Sequence, residues 1–534
     1  MANEIELKLA IAPDDVARLR CHPLVERFAE GEAEIHRLAN RYFDTPEREL
    51  ARGRAALRLR RSGERWLQTL KTAPGSASGL SARGEWELPV AGPALELAAF
   101  TDLPPEVRAL LDRLAPRLAP VFDTDFEREA RLLRLKDGTR FELAIDRGEL
   151  RAGSGKRARR APICEVELEL IEGDARRVVD FAERLAADLA LIPEPRSKAA
   201  RGLALADRKP VQAVKPALPD ADAAAPAGAT LAAAIGRCHE ALLLNTASIR
   251  AGTDDAELVH QARVALRRLR VALRHARALL PRRAAALRAP LRELGQRLGR
   301  SRDLDVLTGQ TLPRLDAQLA RQTAAAPASP PPLARPAAPP RDDDYSDADV
   351  RAALDARLAA DRDQAWAELR LALATPAFAR SMLALEGLTL RLAGKTGSST
   401  ARLAQRELRL ARDGARDTVA ALDGDDADAR HRFRIAIKRL RYALDMYGAL
   451  FAPDAVAAQR QALAQLQDVL GEMNDNAVAA ARLDLLPSSP TAAALAGAAR
   501  GTIAAARPEA ARRARALLAL PAPWKRARAA GRKR

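Results

Sequence analysis

Near the N-terminus, Glu4-Ile5-Glu6-Leu7-Lys8 puts two carboxylates and an ammonium at alternate positions. In an extended strand alternate residues share a face, so Glu4, Glu6 and Lys8 stand together while Ile5, Leu7 and Leu9 turn the other way. Later runs repeat the design with charges sorted by sign: Arg58 with Arg60, Glu85 with Glu87, and Glu165 with Glu167 and Glu169. Like charges side by side repel, and an ordinary solvated face mixes signs to avoid this. Grouped carboxylates are hard oxygen ligands suited to Mg²⁺ or Mn²⁺. Arginines and lysines on facing walls would clamp phosphate oxygens. Hydrolysis of a phosphoanhydride needs both, because metal and cations neutralise charge developing on the transferred group and the leaving oxygen. A half-solvated strand is the competing explanation for any one run taken alone.

The elements that must carry these residues follow from periodicity. Period-two runs at Glu4 to Leu9, Ala55 to Arg60, Glu85 to Val90, Phe141 to Asp146 and Cys164 to Ile171 predict strands. Helical spacing appears around Pro105 to Leu114 and Arg176 to Leu191. Residues 1–208 therefore read as an α+β domain with an antiparallel sheet. The sorted charges share one space if the strands curl into a closed or nearly closed barrel, a tunnel with a polar lumen. Residues 209–229, rich in Pro, Ala and Asp, read as a linker.

From 230 to 520 apolar residues recur at helical spacing with almost no strand signal, predicting an all-α bundle. A Pro-rich insertion at about 323–349, with Pro330-Pro331-Pro332 and Asp342-Asp343-Asp344, holds too little apolar surface to order itself. A basic tail at 521–534 closes the chain. Within the bundle, Val259 to Arg270 aligns without gaps on Arg430 to Arg441, so the bundle is a duplicated unit. His260, Arg263, Arg267 and Arg270 form one stripe of the first helix, and His431, Arg434, Lys438 and Arg441 its counterpart. A cationic stripe destabilises an isolated helix and asks for an external anion. Neither histidine has Cys, His or carboxylate neighbours at metal-ligand spacing, which favours an anion contact or a helix-start role.

Composition narrows the partners. Lys and Arg number 88 against 70 acidic residues, a formal charge of +18, so polyanions are expected. Nucleic acid is the commonest such partner, but aromatics make up only 3% of residues, too few for a stacking platform. Cys21, Cys164 and Cys238 form no CxxC pair, which argues against a zinc site or a disulfide framework. The N-terminus lacks a signal-peptide pattern, and no run reaches the roughly 18 apolar residues of a membrane span, predicting a cytoplasmic protein.

An ordered set of motifs resembles the CYTH domain of the triphosphate tunnel metalloenzyme superfamily. It comprises Glu4 to Lys8, Arg41 to Pro46, Leu57 to Arg60, Gln68 to Lys71, Arg83 to Glu87, Phe126 to Arg128, Ile145 to Gly148, Glu165 to Glu169 and Ser197 to Gly202. The resemblance implies that Lys8, Arg58, Arg60, Lys71, Arg128 and Lys198 bind triphosphate. It implies that Glu4, Glu6, Glu167 and Glu169 hold Mg²⁺ or Mn²⁺, with Glu85, Glu87, Asp146 and Glu165 pointing the same way. Glu4, Glu6, Lys8, Arg58 and Arg60 would form the catalytic core. Thr230 to Leu520 is similar to the CHAD domain, a duplicated helical bundle implicated in binding inorganic polyphosphate through a basic channel. Family members act on inorganic triphosphate, thiamine triphosphate, RNA 5′ ends or ATP; fusion to a helical partner implies inorganic triphosphatase. The alternatives are a non-catalytic protein that targets polyphosphate granules, or a CYTH enzyme acting on another triphosphate.

Overall fold

Alternation of apolar and charged side chains along each strand gives the sheet a dry outer face and a charged inner one. In the computed structural model, which describes residues 3–77, 80–325, 347–424, 426–485 and 490–525, nine strands form. They are β1 (Asn3–Ala10), β2 (Ala29–Asp44), β3 (Ala55–Ser62), β4 (Arg65–Ala77), β5 (Leu80–Val90), β6 (Ala119–Arg134), β7 (Arg140–Ala152), β8 (Arg159–Glu172) and β9 (Ile192–Pro193). They hydrogen-bond in the order β5-β4-β3-β2-β6-β7-β8-β1-β9, and β5 pairs again with β1. All ladders are antiparallel. The β1–β5 seam joins Asn3 to Leu7 with Leu80 to Gly84, whereas β6–β7 pair from Phe122 to Arg134. The sheet therefore wraps into a tunnel with one short seam, and "barrel" describes it only loosely.

Helices cover the dry face. Helix Ala175–Leu185 buries Val178, Val179, Phe181, Ala182 and Leu185 at three- and four-residue spacing, and on β1 Leu7 and Leu9 are fully buried. Leu57 and Leu70 pack with Phe100, Leu111 and Leu114, the last two from helix Pro105–Leu114. Helix Lys198–Asp207 is capped by Ser197, whose Oγ accepts from Ala200 N at 3.2 Å. Unlike the others, it lies on the lumen side of the sheet, with Ala199, Leu203 and Ala206 against Tyr42, Phe122 and Ile163. Gly202 permits this approach, since a Cβ there would lie 2.1 Å from the Phe122 ring.

The chain forms two compact units, one of residues 1–217, 231–291 and 371–394, the other of 218–230, 292–370 and 395–534. The first thus takes in helices that the sequence assigns to the C-terminal half. Its segment after the sheet is tied down, with Val214 N donating to Asn245 Oδ1 at 2.9 Å and Arg268 Nη1 donating to Pro216 O at 2.6 Å. Its helix Ala256–Ala276 starts at Asp255, whose side chain accepts from Glu257 N. In the second unit, helix Ala427–Tyr447 starts at Asp426, which accepts from Asp428 N and Ala429 N. Both helices have 21 residues and both place their histidine at the same distance from the capping aspartate, as a duplication requires. The second unit has its own core, including Leu304, Leu315, Leu358, Leu483 and Leu495. Of the expected Pro-rich insertion, 326–346 lie outside the described residues, between helices Leu312–Ala325 and Asp347–Leu373. Residues 526–534 of the basic tail lie outside them as well. Among the described residues no helix is long and apolar enough to cross a membrane.

Candidate active site: a charged tunnel

Strand register brings the sorted charges into one lumen. On β1 and β8, Glu6 lies opposite Glu169, Lys8 opposite Glu167 and Ala10 opposite Glu165. Asp146 on β7 stands between Glu165 on β8 and Arg128 on β6. Across the tunnel, Lys71 lies opposite Glu85 and Thr69 opposite Glu87. A cavity of about 300 Å³ results, lined by Lys8, Arg58, Arg60, Lys71, Arg128 and Lys198 and by Glu6, Glu85, Glu87, Glu167 and Glu169. Of the residues singled out in the sequence, the side chain of Glu4 lies outside the described part of the structure. Asp146 and Glu165 are buried and do not line this cavity, although they share the lumen-facing phase of their strands.

Those two carboxylates hold cations in place. Asp146 accepts from Arg128 Nε and Nη2, each at 2.7 Å, and from Lys198 Nζ at 2.6 Å. Lys198 Nζ also donates to Glu167 at 2.9 Å and pairs with Glu165, which pairs in turn with Arg201. Asp146, Glu165 and Glu167 each offer an oxygen within 4.8 Å of the others, a spacing a metal could use. Here the Lys198 ammonium bonds all three.

On β1, Lys8 Nζ donates to Glu6. Burial and the neighbouring Glu167 push the Glu6 carboxyl up, with Lys8 and Lys71 offsetting only part. Burial would raise Glu167 too, but Lys198, Arg128 and Lys8 hold it well below the usual carboxylate range. Lumen-facing Glu6, Glu167 and Glu169 form an all-oxygen donor set on adjacent strands, which fits a hard divalent cation such as Mg²⁺ or Mn²⁺.

The opposite wall is built differently. Lys71 Nζ contacts Glu85 at 2.9 Å. Arg58 Nε donates to Thr69 Oγ1 at 3.2 Å, and Thr69 donates to Glu87 at 2.8 Å. The Arg58 and Arg60 guanidinium nitrogens stand 3.6 and 3.8 Å from Glu87. Burial lowers Arg60 to about 10, and repulsion from Arg58 and Arg128 adds to this against the pull of Glu87. Tyr42 lines the cavity and stacks on Phe122 at 4.4 Å, and Lys198 lies 5.0 Å over the Phe126 ring. Asn40 and Thr124 escaped the sequence reading, although Thr124, Phe126 and Arg128 alternate on β6 in phase with the lumen; Thr69 and Arg201 entered it inside motifs but without a role.

Comparison with known proteins agrees with this arrangement. Residues 2–203 match the CYTH domain family and residues 233–484 the CHAD domain family. The chain joins a CYTH domain to a CHAD domain. Over 212 residues it is 32% identical to an inorganic triphosphatase of Haemophilus influenzae, an alignment covering 39% of this chain and 56% of that protein. The chain thus spans little more than half the length of that relative. Among solved structures, the CHAD domain of the plant Ricinus communis is 30% identical, covers 58% of this chain and 98% of its own, and gives a TM-score of 0.46. A Hippeastrum protein described as having a dominant triphosphatase activity is 22% identical, covers 37% of this chain and 94% of its own, and gives 0.28.

In the CHAD domain each cationic stripe lies on the more open side of its helix. On Ala256–Ala276, His260, Arg263 and Arg267 are half-buried and Arg270 is exposed, while Leu258, Ala262, Leu266 and Leu269 face the core. On Ala427–Tyr447, His431 is exposed, Arg434, Lys438 and Arg441 are half-buried, and Arg441 donates to Gln467. Burial, Arg434 and Lys438 lower the pKa of His431.

Proposed function

We propose that the protein is a metal-dependent inorganic triphosphatase whose CHAD domain binds polyphosphate. The observation that carries this is the lumen, where six cationic side chains and five carboxylates surround about 300 Å³. An apolar ligand would strip water from those charges without replacing it, whereas a phosphate chain with a divalent cation matches both signs. Arg58, Arg60, Lys71, Arg128 and Lys198 would hold phosphate oxygens, and Glu6, Glu167 and Glu169 would hold Mg²⁺ or Mn²⁺. The metal would polarise the phosphoryl oxygens and neutralise charge on the leaving group. Water attacks a terminal phosphorus, its bond to the bridging oxygen breaks, and phosphate and diphosphate leave. A lumen carboxylate at hydrogen-bond distance takes the proton of that water. The His260 and His431 stripes would bind longer chains, and a cytoplasmic protein associated with polyphosphate granules follows from that role.

The 32% identity to an inorganic triphosphatase supports the choice of substrate. Purified protein with Mg²⁺ or Mn²⁺ is expected to release phosphate from tripolyphosphate and to stop on chelation. Glu6→Gln is expected to lower the rate by roughly a hundredfold or more. Wild-type protein inert with both metals would defeat the enzymatic reading, and thiamine triphosphate or ATP turning over faster would reassign the substrate.

A further inference from the structure

Arg60 is buried among like charges, repelled by Arg58 and Arg128, with Glu87 no nearer than 3.8 Å. Left to itself such a guanidinium would swing toward a carboxylate or toward water. Asn40 prevents this. It lies directly opposite Arg60 across the β2–β3 ladder, and its Oδ1 accepts from Arg60 Nε at 2.9 Å. The other end of the amide, Nδ2, donates at 2.9 Å to Oγ1 of Thr124, the residue opposite Asn40 on β6. Asn40 is 3% exposed and Thr124 1%. Arg60 fixes which way the amide faces, because a flipped amide would set its NH2 against the Arg60 N–H, donor against donor, while the Thr124 hydroxyl accepts from the NH2 that is left.

Holding an arginine with a neutral amide has a consequence that a carboxylate would not. The side chain is oriented through Nε while its charge stays uncancelled, available to an anion in the cavity. Thr69 treats Arg58 the same way, accepting from its Nε. We infer that Asn40 and Thr124 are positioning residues that hold Arg60 for phosphate recognition. The inference rests on the triphosphate reading of the tunnel.

A double-mutant cycle tests it, read both as kcat/KM for tripolyphosphate and as calorimetric affinity for the same anion. Asn40→Leu, close in volume, is expected to lower both by about tenfold in the native background, roughly one hydrogen bond to a charged group. In an Arg60→Ala background the same change is expected to matter less than about twofold, since the residue it acts through is gone. Thr124→Val should give the same pattern with a smaller loss. Equal losses in both backgrounds would mean general damage and overturn the inference, as would no loss in the native one. A wild type that binds tripolyphosphate without hydrolysing it would sink the enzymatic reading and leave the binding cycle to decide the role of Asn40.

Discussion

Asp146→Asn removes one charge from the tunnel wall with little change in volume. Asp146 has no exposed side-chain surface, and its partners Lys198 and Arg128 keep only 8% and 16%, so solvent screens the cluster weakly. Three hydrogen bonds to cations converge on this carboxylate. Without its charge, Lys198, Arg128 and Arg201 face Glu165 and Glu167 alone. Deleting one partner of a buried ion pair costs about 3–5 kcal/mol. The low end, about 3 kcal/mol, applies because Lys198 keeps both glutamates. For a domain of this size each kcal/mol moves Tm by about 2–4 °C, so the unit containing the sheet should melt roughly 6–12 °C lower. Differential scanning calorimetry measures this directly. Tripolyphosphate at a hundredfold excess over Kd should return about 2.7 kcal/mol, and at least as much in the variant as in the wild type, since the ligand brings the missing negative charge. A shift below about 2 °C, or a rise, would refute the view that Asp146 neutralises this wall.

Other consequences follow from the same structure. Gly202→Ala should lower Tm by an overpacking cost of about 1–3 kcal/mol and should also reduce turnover, because the displaced helix carries Lys198; an unchanged melt would show that the Phe122 ring can move aside. Polyphosphate binding should draw protons onto His431, whose pKa is depressed in the free protein and rises beside an anion. Affinity should therefore increase as pH falls through the histidine range, and an NMR titration of His431 that ignores polyphosphate would contradict this. Thiol reagents should modify exposed Cys21 rapidly and leave Cys238, buried and pushed up to about 12, unreacted until unfolding. Lys198→Met should lower Tm, whereas Arg60→Met should leave Tm unchanged or higher and still weaken tripolyphosphate binding by tenfold or more, judged by melting and calorimetry side by side.

What was legible in the sequence divides by how strands meet their surroundings. β1, β3 and β8 alternate cleanly because one face is dry and the other lines the lumen, and Glu6, Lys8, Arg58, Arg60 and Glu167 could be read from them. β2 was invisible because its first half, around Glu32 to Glu34, is exposed and carries no apolar alternate set. Asn40, which lies on that strand, was missed with it. Sorted charge also gave no means of telling which carboxylates line the open cavity and which are covered within it. Asp146 and Glu165 share phase with true lining residues, and only the placement of Lys198 and Arg201 sets them apart. In the helical part the His-x-x-Arg stripes were plain from the repeat, whereas the capping aspartates Asp255 and Asp426 lie upstream of it and were not read. The division into compact units was not, since helices 231–291 and 371–394 join the sheet's unit through contacts distant in sequence.

The two kinds of cation in the tunnel do different jobs, and geometry separates them. Lys8, Lys71 and Lys198 each make a close contact with a carboxylate, to Glu6, to Glu85 and to the Asp146 group. An ammonium so engaged offsets the repulsion among acids that a lumen of grouped glutamates would otherwise suffer. Arg58 and Arg60 instead give their Nε groups to a hydroxyl and an amide, and their guanidinium nitrogens stand 3.6 to 3.8 Å from the carboxylates of Glu85 and Glu87. At Arg58 burial is outweighed by Tyr42, Glu85 and Glu87, which raise its pKa, whereas burial of the Arg60 guanidinium is incompletely compensated in the free protein, as its lowered pKa records. That unfavourable term disappears when a polyanion arrives, so it adds to the gain from binding. On this account the lysines help to keep the wall folded as well as to meet the ligand, and Arg60 on β3 is a cation whose charge the protein leaves incompletely offset.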